Sequence, residues 1–322
     1  MISRRILRIK ILQMLYAFFQ NNDGDINQAE KSLLFSIQKT YDLYHYLLLL
    51  VVDIADYASA RIDIALQKKI PSFEDLNPNT KFIENKIIGL IRENQQLNKY
   101  LARTPLSWSQ SPELIKKLHN RIRMAGFFKE YMDNHERSFA EDKKIIIDIY
   151  NKEIINFEGL YQVLEEQSIF WNDEVEFVIS MISKTIKGFN EESKENNKLF
   201  PLFKNDEDRD FAKNLFRKAI IHQKEYRTIV ESFAKNWDVE RIAFMDFLIL
   251  EMAITEAVEF SFIPTKVTIN EYLEIAKSYS TEKSRIFING LLDKIFKHLK
   301  QTDKIRKSGR GLIGEIESAI EK

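Results

Sequence analysis

Apolar residues return at three- and four-residue intervals along almost the whole chain, and this rhythm admits one fold class. Leu, Ile, Lys, Glu, Phe and Asn dominate, while only 9 glycines and 6 prolines interrupt 322 residues. The chain therefore reads as all-α. Breakers fall at Asn21–Gly24, Pro71–Pro78, Pro105–Pro112 and the polar stretch Gly188–Pro201. Between them the pattern predicts helices near 27–69, 79–102, 112–138, 141–167, 172–188, 206–236, 239–258, 265–279 and 283–300, with 27–69 read as one long helix or two.

The length suffices for two cores. Gly188–Lys198 is the most polar interior interval and reads as a mobile linker. The expected division is an N-terminal helical domain over 1–190, a C-terminal bundle over 200–300, and a basic-then-acidic tail over 301–322. No internal repeat is evident.

Charge is balanced, with 48 Lys+Arg against 48 Asp+Glu, so affinity for nucleic acid must come from local clusters. The absence of cysteine excludes thiolate catalysis, disulfides and Cys-based zinc sites, and it fits a reducing cytoplasm. The basic and apolar N-terminus lacks the uninterrupted apolar stretch and cleavage site of a signal peptide, so it reads as mature protein. The longest apolar run, Tyr46–Ile54, contains Asp53 and is too short to span a bilayer. A soluble cytoplasmic protein is expected.

Enzymatic motifs are missing. His45, His119, His135, His222 and His298 form no i, i+4 pair and no H-E-x-x-H, and P-loop, G-x-G-x-x-G and G-x-S-x-G sequences do not occur. No catalytic residue, metal or cofactor is expected.

The N-terminal helix carries more information. Leu7, Ile11, Met14 and Phe18 share one face and form its core seam. Beside them Arg5, Arg8, Leu12 and Tyr16 follow i, i+3, i+7, i+11 and line a second stripe spanning roughly 16 Å, with Arg4 flanking it. Lys10 points to the other side. Positive charge in the first turns opposes the helix dipole, and no acid precedes Asp23, so an external anion is the natural complement. Guanidinium groups suit phosphates and a tyrosine ring offers a stacking face for an unpaired base. Spacing alone favours a solvated basic helix end.

A second basic patch is Lys277–Phe287, with Lys283 and Arg285 in the first turn of the last helix and Phe287, Asn289 and Gly290 following. Composition by itself makes Phe287 a core residue in series with Leu291 and Ile295. Thr268–Glu271 has the spacing of a capping box, and Pro264 could instead open that helix. The basic residues after Leu299 read as a solvated tail.

These pieces together resemble one family. Trp237 with Arg241, Asp246–Ala253, Pro264–Glu271, Glu274–Lys277 and Phe287–Asp293 stand in the order found in the NusB family of bacterial transcription antitermination factors. Arg4-Arg5-x-x-Arg8 leading into Leu12–Tyr16 is similar to that family's arginine-rich RNA-binding helix. The resemblance does not account for residues of about 30–200, which read as an enlarged helical insertion.

The resemblance implies a noncatalytic protein that binds single-stranded boxA RNA of ribosomal RNA transcripts together with NusE, a small-subunit ribosomal protein. Other antitermination factors and RNA polymerase would be indirect partners, and a homodimer is open. RNA contacts would come from Arg4, Arg5, Arg8, Tyr16, Lys283, Arg285, Phe287 and Asn289. Partner contacts would come from Asp246, Phe247 and Glu256, in a region that departs from the family. Phe247 stands where a basic residue is common, and Thr255-Glu256-Ala257 replaces Tyr-Glu-Leu. Two rivals are a NusB-like subunit of a ribosomal RNA methyltransferase system and a helical scaffold without RNA binding.

Overall fold

A computed structural model describes residues 2–21, 24–234 and 242–313. Trp237 and Arg241, part of the resemblance above, lie outside the described residues. Among the described residues helices occur and strands do not. The helices are α1 (Arg4–Gln20), α2 (Ile26–Leu66), α3 (Phe73–Leu76), α4 (Lys86–Arg92), α5 (Gln95–Leu101), α6 (Pro112–Met124), α7 (Gly126–Asp133) and α8 (Phe139–Asp148). They continue with α9 (Glu158–Gln167), α10 (Val175–Gly188), α11 (Asp206–Ile221), α12 (Gln223–Phe233), α13 (Phe244–Glu259), α14 (Thr265–Tyr279) and α15 (Glu282–Gln301). No described helix is long and apolar enough to cross a membrane.

The open reading of 27–69 resolves as a single helix of 41 residues, free of glycine and proline throughout. Several other expected helices are each two. Asn94 divides 79–102 because its side chain accepts from the amides of Gln96 and Leu97, starting α5 one residue after α4 has ended at its cap. Its amide group also donates to Asn197 O at 2.7 Å, so this wholly buried asparagine specifies the break through tertiary contact.

Two compact units emerge, one of residues 38–202 and one of residues 2–37 with 203–322. The expected 1–190 grouping put α1 with the helices that follow it. Its contacts instead lie with α11, α13 and α14, so α1 belongs to the C-terminal unit. The 188–198 stretch is no free linker: Asn197 is buried, accepts from the Asn190 amide at 2.7 Å and donates to Asn190 O at 2.9 Å. Leu199 N bonds to Gln96 Oε1 at 2.8 Å, tying the same stretch to α5.

In the 38–202 unit, Leu47, Val51 and Ile54 of α2 pack with Ile87, Ile91, Ile146, Val178 and Ile182 in one core. Tyr150 donates to Leu47 O at 2.7 Å, and Trp108 stacks on Tyr46 with centroids 3.8 Å apart while its indole N–H bonds to Tyr46 O. Each aromatic thus buries its ring and still satisfies its polar atom.

The C-terminal unit is built around α13. Every residue from Asp246 to Ala257 is buried, because α1, α11, α12, α14 and α15 all pack on this one helix. Such all-round burial is the fate of a helix that is apolar on every side. Three acids lie in this buried stretch: Glu251 and Glu256 meet cations inside the bundle, and Asp246 accepts from a hydroxyl.

Candidate nucleic-acid interface

Helix α1 starts at Ser3, whose hydroxyl accepts from Ile6 N at 3.4 Å. Leu7 and Ile11 are fully buried as the seam requires, whereas Met14 and Phe18 are only half-buried. Enclosure by three neighbours buries the middle of the second stripe, Leu12 at 0% and Arg8 at 2% exposure, and also Lys10 on the other side at 2%. What remains open is a narrow face carrying Arg5 and Tyr16, with Ile9 and Gln13 half-buried between them.

The three arginines separate accordingly. Arg8 forms a two-pronged pair with Glu256, Nε to Oε2 at 2.6 Å and Nη2 to Oε1 at 2.8 Å, in a spot closed to water. Thr268 donates to Glu256 Oε1 at 2.9 Å, and the Arg8 guanidinium lies over the Phe211 ring at 5.2 Å. Burial works against the Arg8 charge, and Glu256 outweighs it, so the guanidinium is held more firmly protonated than usual. Arg8 is thus a buried ion-pair residue of the core, where the sequence reading expected an open RNA contact. Arg4 turns toward α11, with Nε 2.8 Å from Asp208 Oδ1 and its guanidinium 5.1 Å from the Phe211 centroid and 5.3 Å from that of Phe262. It fastens α1 to the acidic first turn of α11 and does not flank the Arg5 stripe.

Arg5 alone of the three is open, at 46% side-chain exposure. Glu271 of α14 accepts from it through both oxygens, at 3.0 and 2.8 Å. Burial disfavours the Glu271 carboxylate, but the bond from Arg5 and the charges of Arg8 and Arg5 prevail, so its carboxyl titrates below the ordinary value. This corrects the capping-box reading: α14 starts behind Pro264 without a side-chain cap, Thr268 serves Glu256, and Glu271 serves Arg5.

Farther along the open face, Gln13 donates to the Tyr279 hydroxyl at 2.9 Å, bringing the end of α14 beside α1. Tyr16 is 41% exposed and its ring leans on Phe244 at 5.7 Å. The first turn of α15 belongs to the same surface. Glu274, paired with Lys277, has its carboxyl lowered first by that lysine and also by the charges of both Arg5 and Arg285. Lys283 and Asn289 are exposed and Arg285 is half-buried, with Arg285 and Asn289 one turn apart.

Besides Arg8, four expected contacts lie inside. Phe287 is 7% exposed in line with buried Leu291 and Ile295, so it serves the core and offers no stacking face. Asp246 is 2% exposed and accepts from the Ser280 hydroxyl; Phe247 is 5% exposed beneath Arg227, whose guanidinium lies 3.9 Å from its centroid. Glu256 is fully buried against Arg8. None of the expected partner residues is surface, because α13 is the centre of its bundle. Gln13, Tyr279, Glu271 and Phe244 were missed; helical period alone places Gln13 beside Arg5 and Tyr16, but nothing local points to the other three.

The family model described as "NusB family" matches residues 155–297. That span runs from the turn before α9 into α15 and leaves α1 outside it. The transcription antitermination protein NusB of Salinibacter ruber is 44% identical over 114 residues, covering 35% of this chain and 71% of that protein. The protein of the same name from Chloroherpeton thalassium is 38% identical over 105 residues, 33% of this chain and 50% of that one. That of Geobacter sulfurreducens is 46% identical over 87 residues, 27% of this chain and 63% of that one. No solved structure matches. The class is that of noncatalytic, all-helical transcription factors. The chain belongs to the NusB family, in an enlarged form.

Proposed function

We propose that this protein is a transcription antitermination factor that binds single-stranded, boxA-type RNA of ribosomal RNA transcripts together with NusE. The observation that carries this reading is that Glu274 feels the charges of both Arg5 and Arg285, which joins the open face of α1, with Arg5 and Tyr16, to the start of α15. Phosphates would be met by Arg5, Lys283 and Arg285, and one unpaired base would stack on Tyr16 with Phe244 behind it. Gln13 and Asn289 supply neutral hydrogen-bonding groups for base edges. Arg4, Arg8, Phe287, Asp246, Phe247 and Glu256 support this surface from within and leave it to others to touch RNA or NusE.

A bound phosphate must share Arg5 with Glu271, so the free protein holds its main cation in a closed ion pair. Such a half-exposed pair is worth about 1 kcal/mol or less, which an RNA strand can repay. Three cations meeting three phosphates give a log–log salt slope of roughly −2, and Arg5→Ala reduces it to about −1.4. Fluorescence anisotropy over a salt series, with circular dichroism to certify the fold, tests this. An unchanged slope and affinity in Arg5→Ala, Tyr16→Ala and the Lys283→Ala/Arg285→Ala pair would place RNA binding elsewhere.

A further inference from the structure

The 38–202 unit carries a cavity of about 700 Å³ bounded by the C-terminal turns of α2, by α3 and by α6 and α7. That volume is in the range of small-molecule sites. Arg61 of α2 and Arg123 of α6 line it, and both side chains are exposed. Three other arginines of this unit hold carboxylates, Arg92 with Asp56, Arg121 with Glu153 at 2.7 Å and Arg137 with Glu84 at 2.5 Å, whereas Arg103 holds none among the described residues. Among the described residues, Arg61 and Arg123 have no such partner.

His119 lines the same cavity one turn before Arg123, with only 6% exposure. Its ring meets the edge of Tyr57 at 5.2 Å, and its Nδ1 has no hydrogen-bond partner. Burial, then the charges of Arg123 and Arg61, push the imidazole down to about 4, so the ring is neutral at pH 7. A buried, unsatisfied nitrogen next to two unpaired guanidinium groups is a costly arrangement that an anion would relieve. The remaining wall is apolar where Ile62, Phe82 and Phe128 line it. Glu74, Asp75, Asp133 and Lys129 complete the lining, and Asp75 is already held by Lys68 at 2.8 and 2.9 Å.

We propose that this cavity binds a small ligand of about mononucleotide size, with its phosphate or carboxylate group at Arg61, His119 and Arg123 and its flat apolar body along Ile62, Phe82 and Phe128. The free acids Glu74 and Asp133 then accept from N–H or O–H groups at the ligand's other end. This site is separate from the surface carrying Arg5 and Tyr16, and either can exist without the other.

The test is isothermal titration calorimetry of the full chain with AMP, benzoate and adenosine, and with an Arg61→Gln/Arg123→Gln variant checked by circular dichroism. AMP or benzoate should bind, adenosine should bind at least ten-fold more weakly, and the variant should lose ten-fold or more while staying folded. Tighter AMP than benzoate assigns a phosphate ligand; the reverse assigns a carboxylate. In NMR the His119 ring should titrate at higher pH once the anion is bound, because a neighbouring negative charge favours imidazolium. Lack of binding by both anions at millimolar concentration, or binding unmoved by the double substitution, overturns the proposal. A short RNA that binds this face more tightly than AMP overturns it too, making the face a polymer contact.

Discussion

Arg5 and Arg8 stand three residues apart on one helix, and their replacement should give opposite results. Arg8→Ala leaves Glu256 at 0% exposure with only Thr268 at 2.9 Å and the Tyr272 hydroxyl at 3.4 Å. Breaking a buried pair from one side costs about 3–5 kcal/mol, because an uncompensated charge stays inside. For a unit of this size that lowers the melting temperature by about 10 °C or more. Arg5→Ala removes a pair that is 46% and 20% exposed and should cost about 1 kcal/mol at most. Differential scanning calorimetry of both variants reads these numbers, and Arg8→Met with Glu256→Gln should recover much of the loss by removing both charges at once. If Arg8→Ala melts like the parent while losing RNA binding, Arg8 is an RNA contact and the buried pair described above does not govern its role.

The remaining expectations concern neighbouring residues. Glu271→Gln frees Arg5 and removes a negative charge from the open surface, so RNA affinity should rise up to about five-fold, the equivalent of about 1 kcal/mol; anisotropy titration reads it, and weaker binding would mean that Glu271 positions Arg5 for RNA. Glu251 is buried beside Arg227 at 2.5 Å, and burial outweighs that partner, lifting its carboxyl from 4.5 to about 7. Because the folded value lies above the unfolded one, the folded state holds the extra proton, and stability is lost as pH rises from about 4.5 through 7. Relative to Glu251→Gln, the parent should lose about 3 kcal/mol over that window in urea titrations; parallel curves would refute it. In the tail, a Cβ on Gly311 would stand 1.9 Å from Ser261 O, where Ser308 N also bonds at 3.0 Å. Gly311→Ala should release this tail at a cost of about 1–3 kcal/mol, seen as faster tryptic cleavage at Lys307 and Arg310; equal cleavage rates would count against the contact.

The helical rhythm was legible because 3.6-residue periodicity is a local property, and α2, α14 and α15 fall close to their expected spans. Breaks such as the one at Asn94 were not, since Asn197 lies 103 residues away and holds the asparagine in place. The same separation of scales explains the site. Arg5, Tyr16, Lys283 and Arg285 could be picked out by charge, aromaticity and position within their helices. Which arginine faces water could not, because the deciding carboxylates come from Asp208, Glu256 and Glu271, 204 to 266 residues further along the chain. Without a nearby acid, α1 looked short of an anion; the bundle supplies three. Phe287 shows the converse case, in which the plain reading as a core residue in step with Leu291 and Ile295 agrees with its burial.

The most direct measurement is fluorescence anisotropy with a short boxA-like RNA and a scrambled control, titrated with this protein alone and with NusE from its own organism. A few phosphate and stacking contacts give affinity without much sequence choice, so selectivity should appear with the partner present. The expected result is tighter binding to the boxA-like RNA, enhanced by NusE and weakened by Arg5→Ala. Equal, weak binding to both RNAs that NusE leaves unchanged would contradict the antitermination reading and turn attention to residues 38–202.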